Sequence, residues 1–110
     1  SMNQFWALAP EKRPTAVIAT NYDLTKGAIV AVREHNIRIP RDLSFVGYDF
    51  EDLAVLYTPQ LSIIVEPMQS IGERVVDVLC KKMNGQIDLH SKGIYRVEPT
   101  LVKYGSVKRI

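Results

Sequence analysis

Two periods organise the apolar positions of this chain. Residues 15–20, "TAVIAT", and 43–49, "LSFVGYD", are short β-branched and apolar runs without a polar face, the pattern of parallel strands covered on both sides. Between them Leu24, Ala28, Ile29, Ala31 and Val32 recur at helical spacing, which predicts a helix ending near His35 with Asn21 and Asp23 available ahead of it as caps. Pro40 then closes "NIRIPRD", because the residue before a proline is pushed out of the helical region. Strand, helix and strand of these lengths form a parallel crossover unit.

The second half repeats the alternation. "FEDLAVLYTP" holds a short helix stopped at Pro59, and "QLSIIVEP" is a third strand closed by Pro67. In "MQSIGERVVDVLCKKMNG" the residues Ile71, Val75, Val78, Leu79 and Met83 share one helical face, and Asn84 with Gly85 make a natural helix end. After a polar loop, "IYRVEPTLVKYG" alternates as an extended strand, and its Pro99 points to an edge position. The opening "NQFWALAPEKRP" reads as a helix end followed by a loop. The fold class predicted is α/β, a mostly parallel sheet covered by helices.

Composition narrows the function. The 110 residues are 46% hydrophobic and 24% charged, which suits one modest globular domain. A net charge of +2 with scattered basic residues leaves no stripe for phosphates, so charge alone gives no direct nucleic-acid contact. No apolar run approaches the roughly 20 residues that cross a bilayer, and no signal segment opens the chain. A single cysteine, Cys80, sits in an apolar run and reads as a core thiol, compatible with a reducing, cytoplasmic setting.

No catalytic or metal signature is present, and no phosphate-cradling or dinucleotide loop, so no cofactor is expected. His35 and His90 stand alone and read as solvated. What remains is positional. In an open α/β sheet, ligands bind outside the carboxyl ends of the strands, where this chain places Asn21 and Asp23 after one strand and Asp49 after the next. Either these groups only cap a helix and a turn, or they also line a pocket; spacing leaves both roles open.

In order along the chain, Pro14 to Ala16, Asn21, Gly27, Ile39 to Asp42, Gly47 to Asp49, Pro59, Leu61, Ile64, Pro67, Gly72 and Asn84 to Gly85 resemble the C-terminal part of the effector-binding core of the lac and purine repressor family. The resemblance implies a periplasmic-binding-protein-like fold of two lobes, with a small polar metabolite, a sugar or similar, in the cleft between them. It also implies a transcription regulator that works as a homodimer and touches DNA only through a separate helix-turn-helix domain, with no membrane. Carried over by position, Asn21 and Asp49 are effector contacts, Tyr22 and Asp23 share their turn, and Glu66 lies near a lobe crossover. Lys26, Val30 and Tyr57 fall on the implied dimer interface.

Residues 1–66 and 90–110 would then belong to the C-terminal lobe, and the helix within 67–89 to the N-terminal lobe. Without that lobe, the apolar face of the helix calls for a cover, and self-association, by exchange of the C-terminal segment among other routes, is expected. The chain departs from the pattern at Tyr22, where an aspartate is usual, at Thr25 for alanine, at Lys26 for an apolar residue and at Tyr104 for arginine. A transport-type binding protein of the same fold is the alternative. An enzyme using Asp23, Asp49 and Glu66 as acid and base lacks a nucleophile, metal cluster or cofactor loop beside them.

Overall fold

The computed structural model describes residues 2–49 and 51–109. They fall into two compact units, the first running to Val65 and resuming at Leu101, the second spanning Glu66–Thr100. Phe50, within the predicted short helix, lies outside the described residues.

The first unit opens with α1 (Met2–Trp6) and a 3-10 turn at Pro10–Lys12, then β1 (Ala16–Ile18), α2 (Tyr22–Glu34) and β2 (Ser44–Asp49). A 3-10 helix at Glu51–Leu56 stands where a short helix is predicted, and β3 (Ser62–Val65) follows. β4 (Thr100–Val102) completes a four-stranded sheet in the order β1-β2-β3-β4. β2 is parallel to both neighbours, with Ala16 opposite Ser44 and Asp49 opposite Val65. β4 takes the predicted edge position, but it covers three residues rather than the whole run from Ile94. Pro99, which has no N–H for a ladder, directly precedes it.

The core follows from the apolar runs. Val32, Leu43, Phe45, Leu61 and Ile63 are fully buried, each worth about 1.5–3 kcal/mol in surface withdrawn from water. Trp6, Val17, Ile29 and Tyr57 pack against the cluster that Val32, Leu43, Phe45 and Leu61 form with Ala19, Ala28, Ile37 and Ile39. Asn36, at φ 52°, turns the chain out of α2, and the Arg38 guanidinium pairs with Asp42 at 2.8 Å across the loop that feeds β2. That hydrogen bond, with a second from the Arg38 backbone N–H, holds the Asp42 carboxyl below its ordinary range.

Two burial expectations change. β1 is parallel as predicted, yet it is not covered on both faces, since Ile18 is 62% exposed. Ala16 and Ile18 point to one face of the sheet, which is exposed here, while Val17 on the other face packs against the core. In α2 the buried face is Thr25, Ala28, Ala31 and Val32, while Leu24 is 54% exposed. A rotation of about 100° per residue separates Leu24 from Thr25, and the sheet lies on the side of the threonine.

The C-terminal return is tied into the first unit by hydroxyls. Ser106, fully buried, donates to the Phe45 carbonyl at 2.6 Å and accepts the Ser62 N–H at 2.7 Å. The Phe45 N–H in turn donates to the Ser106 carbonyl, the Tyr104 N–H to Ser62 Oγ at 3.0 Å, and the Lys108 N–H to Ser44 Oγ. The Tyr104 phenol donates to Glu51 Oε1 at 2.7 Å, which accounts for an aromatic hydroxyl at this position.

In the second unit, α3 (Met68–Met83) has the predicted bounds and buries none of its residues. Ile71, Val75, Val78 and Leu79 line a groove of about 800 Å3 with Tyr95 and Val97. Lys82 Nζ secures the following loop by donating to the carbonyls of Leu89 and Ser91. Cys80 is exposed rather than a core thiol, on a helix that buries none of its residues.

Candidate functional site

At the carboxyl ends of β1 and β2 the sheet opens. The Ala19 N–H still donates to the Val46 carbonyl at 2.9 Å, extending the β1 ladder by one residue. Two residues on, and so directed to the same flank, the Tyr48 N–H donates at 3.1 Å to Thr25 Oγ1 of α2. A side-chain hydroxyl has taken the place of the departing strand. The same hydroxyl donates to the Asn21 carbonyl at 2.8 Å and stands 3.3 Å from the Tyr48 carbonyl.

Asn21 is the N-cap of α2. Its backbone is extended and its Oδ1 accepts the Leu24 N–H at 2.8 Å, satisfying one of the orphan donors of the first turn. The cap uses the amide oxygen alone, so the amide's N–H2 donors are not part of it. Asp23, the other predicted cap, instead adds a carboxylate to the first turn, where the helix dipole favours it.

Asp49 ends β2, half-buried, at φ 107°. A residue with a side chain pays about 1–3 kcal/mol for such a backbone, and strain of this kind gathers at binding sites. Gly47 lies inside β2, and a methyl there would come within 3.0 Å of Thr25 Cγ2, so the glycine lets α2 approach the strand.

Thr25 thus brings Asn21 and the Tyr48–Asp49 strand end into one hydrogen-bonded unit. Tyr22, exposed on the first turn of α2, stands directly after the cap. Asp23 lines a groove along β1 with Phe5, Ile18, Leu24 and Val30. Glu66 begins the second unit, half-buried, its carbonyl accepting the Met68 N–H. Of the predicted dimer positions, Lys26 and Val30 are exposed on α2, while Tyr57 packs against the core. Thr25 is the site residue that the apolar pattern passes over. Its signal is a phase, seven residues before Val32 and three before Ala28, together with a hydroxyl where alanine is usual.

Among the described residues no three or more His, Cys, Asp or Glu are grouped to hold a metal ion. No helix in them is long and apolar enough to cross a membrane.

A parallel α/β sheet with polar groups gathered past the carboxyl ends of adjacent strands defines a small-molecule-binding domain of the open-sheet class. The family model of the periplasmic binding protein-like domain matches residues 2–107, and the chain belongs to that family, as part of an effector-binding core of the lac and purine repressor type. The HTH-type transcriptional repressor PurR of Vibrio atlanticus is 31% identical over 100 residues, 91% of this chain and 29% of the relative. PurR of Vibrio campbellii is 29% identical over 102 residues, 93% of this chain and 30% of the relative. The structure of the lac repressor bound to ONPG is 30% identical with a TM-score of 0.76, covering 96% of this chain and 32% of that one. A putative LacI regulator of Bacillus cereus subsp. cytotoxis, 20% identical with a TM-score of 0.80 over 97% of this chain and 36% of its own, shares the fold. The chain spans about three tenths of the length of the PurR relatives.

Proposed function

We propose that this domain is the effector-sensing and dimerising part of a cytoplasmic transcription repressor, that its effector is a small polar metabolite of the sugar class, and that operator binding resides in a helix-turn-helix outside this sequence. The observation that carries the reading is Asp49, held at φ 107° past the end of β2 and tied through Thr25 to the Asn21 cap. A carboxylate accepting from hydroxyls beside an amide that still has N–H donors is a set matched to a polyol or a sugar ring. That its relatives are repressors supports the regulatory role, and that the lac repressor binds ONPG supports an effector of this size.

In this reading Asn21 and Asp49 are the primary contacts. Tyr22 offers a ring face and a hydroxyl, Asp23 a second carboxylate on the same turn, and Glu66 a further carboxylate near the lobe crossover. Residues 67–89 belong to the N-terminal lobe and the flanking segments to the C-terminal lobe. Lys26, Val30 and Tyr57 face a second copy of the protein. Effector binding shifts the protein between states of different operator affinity, by as much as its affinity for the two states differs.

The test restores the domain to the length of its repressor relatives and titrates operator binding with ribose, lactose and purine bases. Asn21→Ala and Asp49→Ala abolish the response to whichever compound acts on the unaltered protein and leave operator affinity within about twofold. An unchanged response in both variants removes the site assignment.

A further inference from the structure

We propose that Thr25 is a positioning residue, a strut that couples the Asn21 turn to the Asp49 strand end and so sets the spacing of the two polar contacts. This rests on the effector-site reading for its functional meaning, but its physical basis is independent of any ligand. A hydroxyl has one proton and two lone pairs. In Thr25 the proton is given to the Asn21 carbonyl at 2.8 Å and a lone pair takes the Tyr48 N–H at 3.1 Å. The residue is 0% exposed, so water does not compete for either bond.

Both ends of this link are backbone atoms adjoining the proposed contacts. The Asn21 carbonyl belongs to the residue whose side chain caps α2, and the Tyr48 N–H immediately precedes Asp49. Among the described residues no strand holds that end of β2 on the β1 flank, where the ladder's last bond is from Ala19 to Val46. The threonine methyl fixes the distance from the other side, resting on Gly47 closely enough that a Cβ on the glycine would lie 3.0 Å away. Hydroxyl and methyl together determine how far α2 stands from β2 at this level. An alanine at this position supplies neither.

Amide hydrogen exchange, read by NMR on the 110-residue chain, tests the coupling without a ligand. Thr25→Val keeps the shape and removes the hydroxyl; exchange at Tyr48 rises about tenfold or more, and at Leu24 and Thr25 with it, while Phe45 and Ile63 stay within about twofold. Thr25→Ser keeps the hydroxyl and retains the protection at Tyr48. Thr25→Ala, which needs no space for a buried methyl in place of the hydroxyl, repeats the Thr25→Val pattern if the valine chain does not fold. Unchanged exchange at Tyr48 in the valine and alanine variants overturns the proposal. So does a rise at Phe45 and Ile63 equal to that at Tyr48, which is a general loss of stability.

The functional arm uses the compound that regulates operator binding in the restored-length protein. Thr25→Val weakens its half-saturation about tenfold and Thr25→Ser by less than about threefold, at unchanged operator affinity. Equal weakening by the serine and valine variants overturns the positioning role. If Asn21→Ala and Asp49→Ala leave the response intact while Tyr48 exchange still follows the hydroxyl, the coupling stands and the effector-site reading falls.

Discussion

Asp49 occupies a backbone region that glycine enters freely, at φ 107°, so its carboxylate is kept at a cost to the fold. Comparing glycine with alanine at this position isolates the strain, because neither carries the carboxylate. Asp49→Gly is more stable than Asp49→Ala by about 1 kcal/mol in urea unfolding, the strain relieved exceeding the entropy glycine gains in the unfolded chain. Tyr104 offers a second test. Its pKa is raised above the ordinary tyrosine value, first by donation to Glu51, then by desolvation and by the negative charge of that carboxylate. A folded pKa above the unfolded one favours the neutral phenol, so this stabilisation is complete below about pH 10 and is lost as pH rises through the folded value. Absorbance titration of the five tyrosines therefore shows a late step that Glu51→Gln moves to lower pH.

α2 and α3 show what a helix pattern conveys and what it omits. Both have apolar faces, and their ends are set locally, α2 by the Asn21 cap and α3 by Asn84 and Gly85. α2 finds a sheet to cover. α3 buries no residue, and Val75 remains 60% exposed although residues 95–97 border the same groove. Apolar surface of this extent drives association. Light scattering on the 110-residue chain at tens of micromolar gives a mass above that of one chain, and Val75→Lys with Leu79→Lys returns it to the monomer. A monomeric mass for the unaltered chain removes this prediction.

At the scale of the molecule, the first unit is closed by contacts between residues about forty to sixty positions apart. Ser106 satisfies the Ser62 N–H and the Phe45 carbonyl at once, both inside the sheet. Ser106→Ala leaves two buried backbone groups without that partner and lowers stability by about 2 kcal/mol in urea unfolding. Ser91→Ala, which loses only an exposed bond to the Asp88 carbonyl, stays within about 0.5 kcal/mol. Equal effects of the two serines would show that the return segment is not anchored through Ser106.

Much of the architecture is legible in local patterns: the three parallel strands, the bounds of α3, the Asn21 cap and the polar strand ends. Strand composition, helical period, caps and prolines act over a few residues, so the chain itself determines them. Four things it left undecided are the exposure of Ile18, the exchange of Leu24 for Thr25 on the buried face, the exposure of Cys80 and the backbone of Asp49. Each depends on which neighbour arrives from elsewhere in the chain. A strand is covered only if both faces are packed, and a helix face is buried only on the side where a sheet lies. The Thr25 hydroxyl meets Tyr48 across 23 residues, a partnership that no spacing rule encodes and that the packing of α2 on β2 alone brings about.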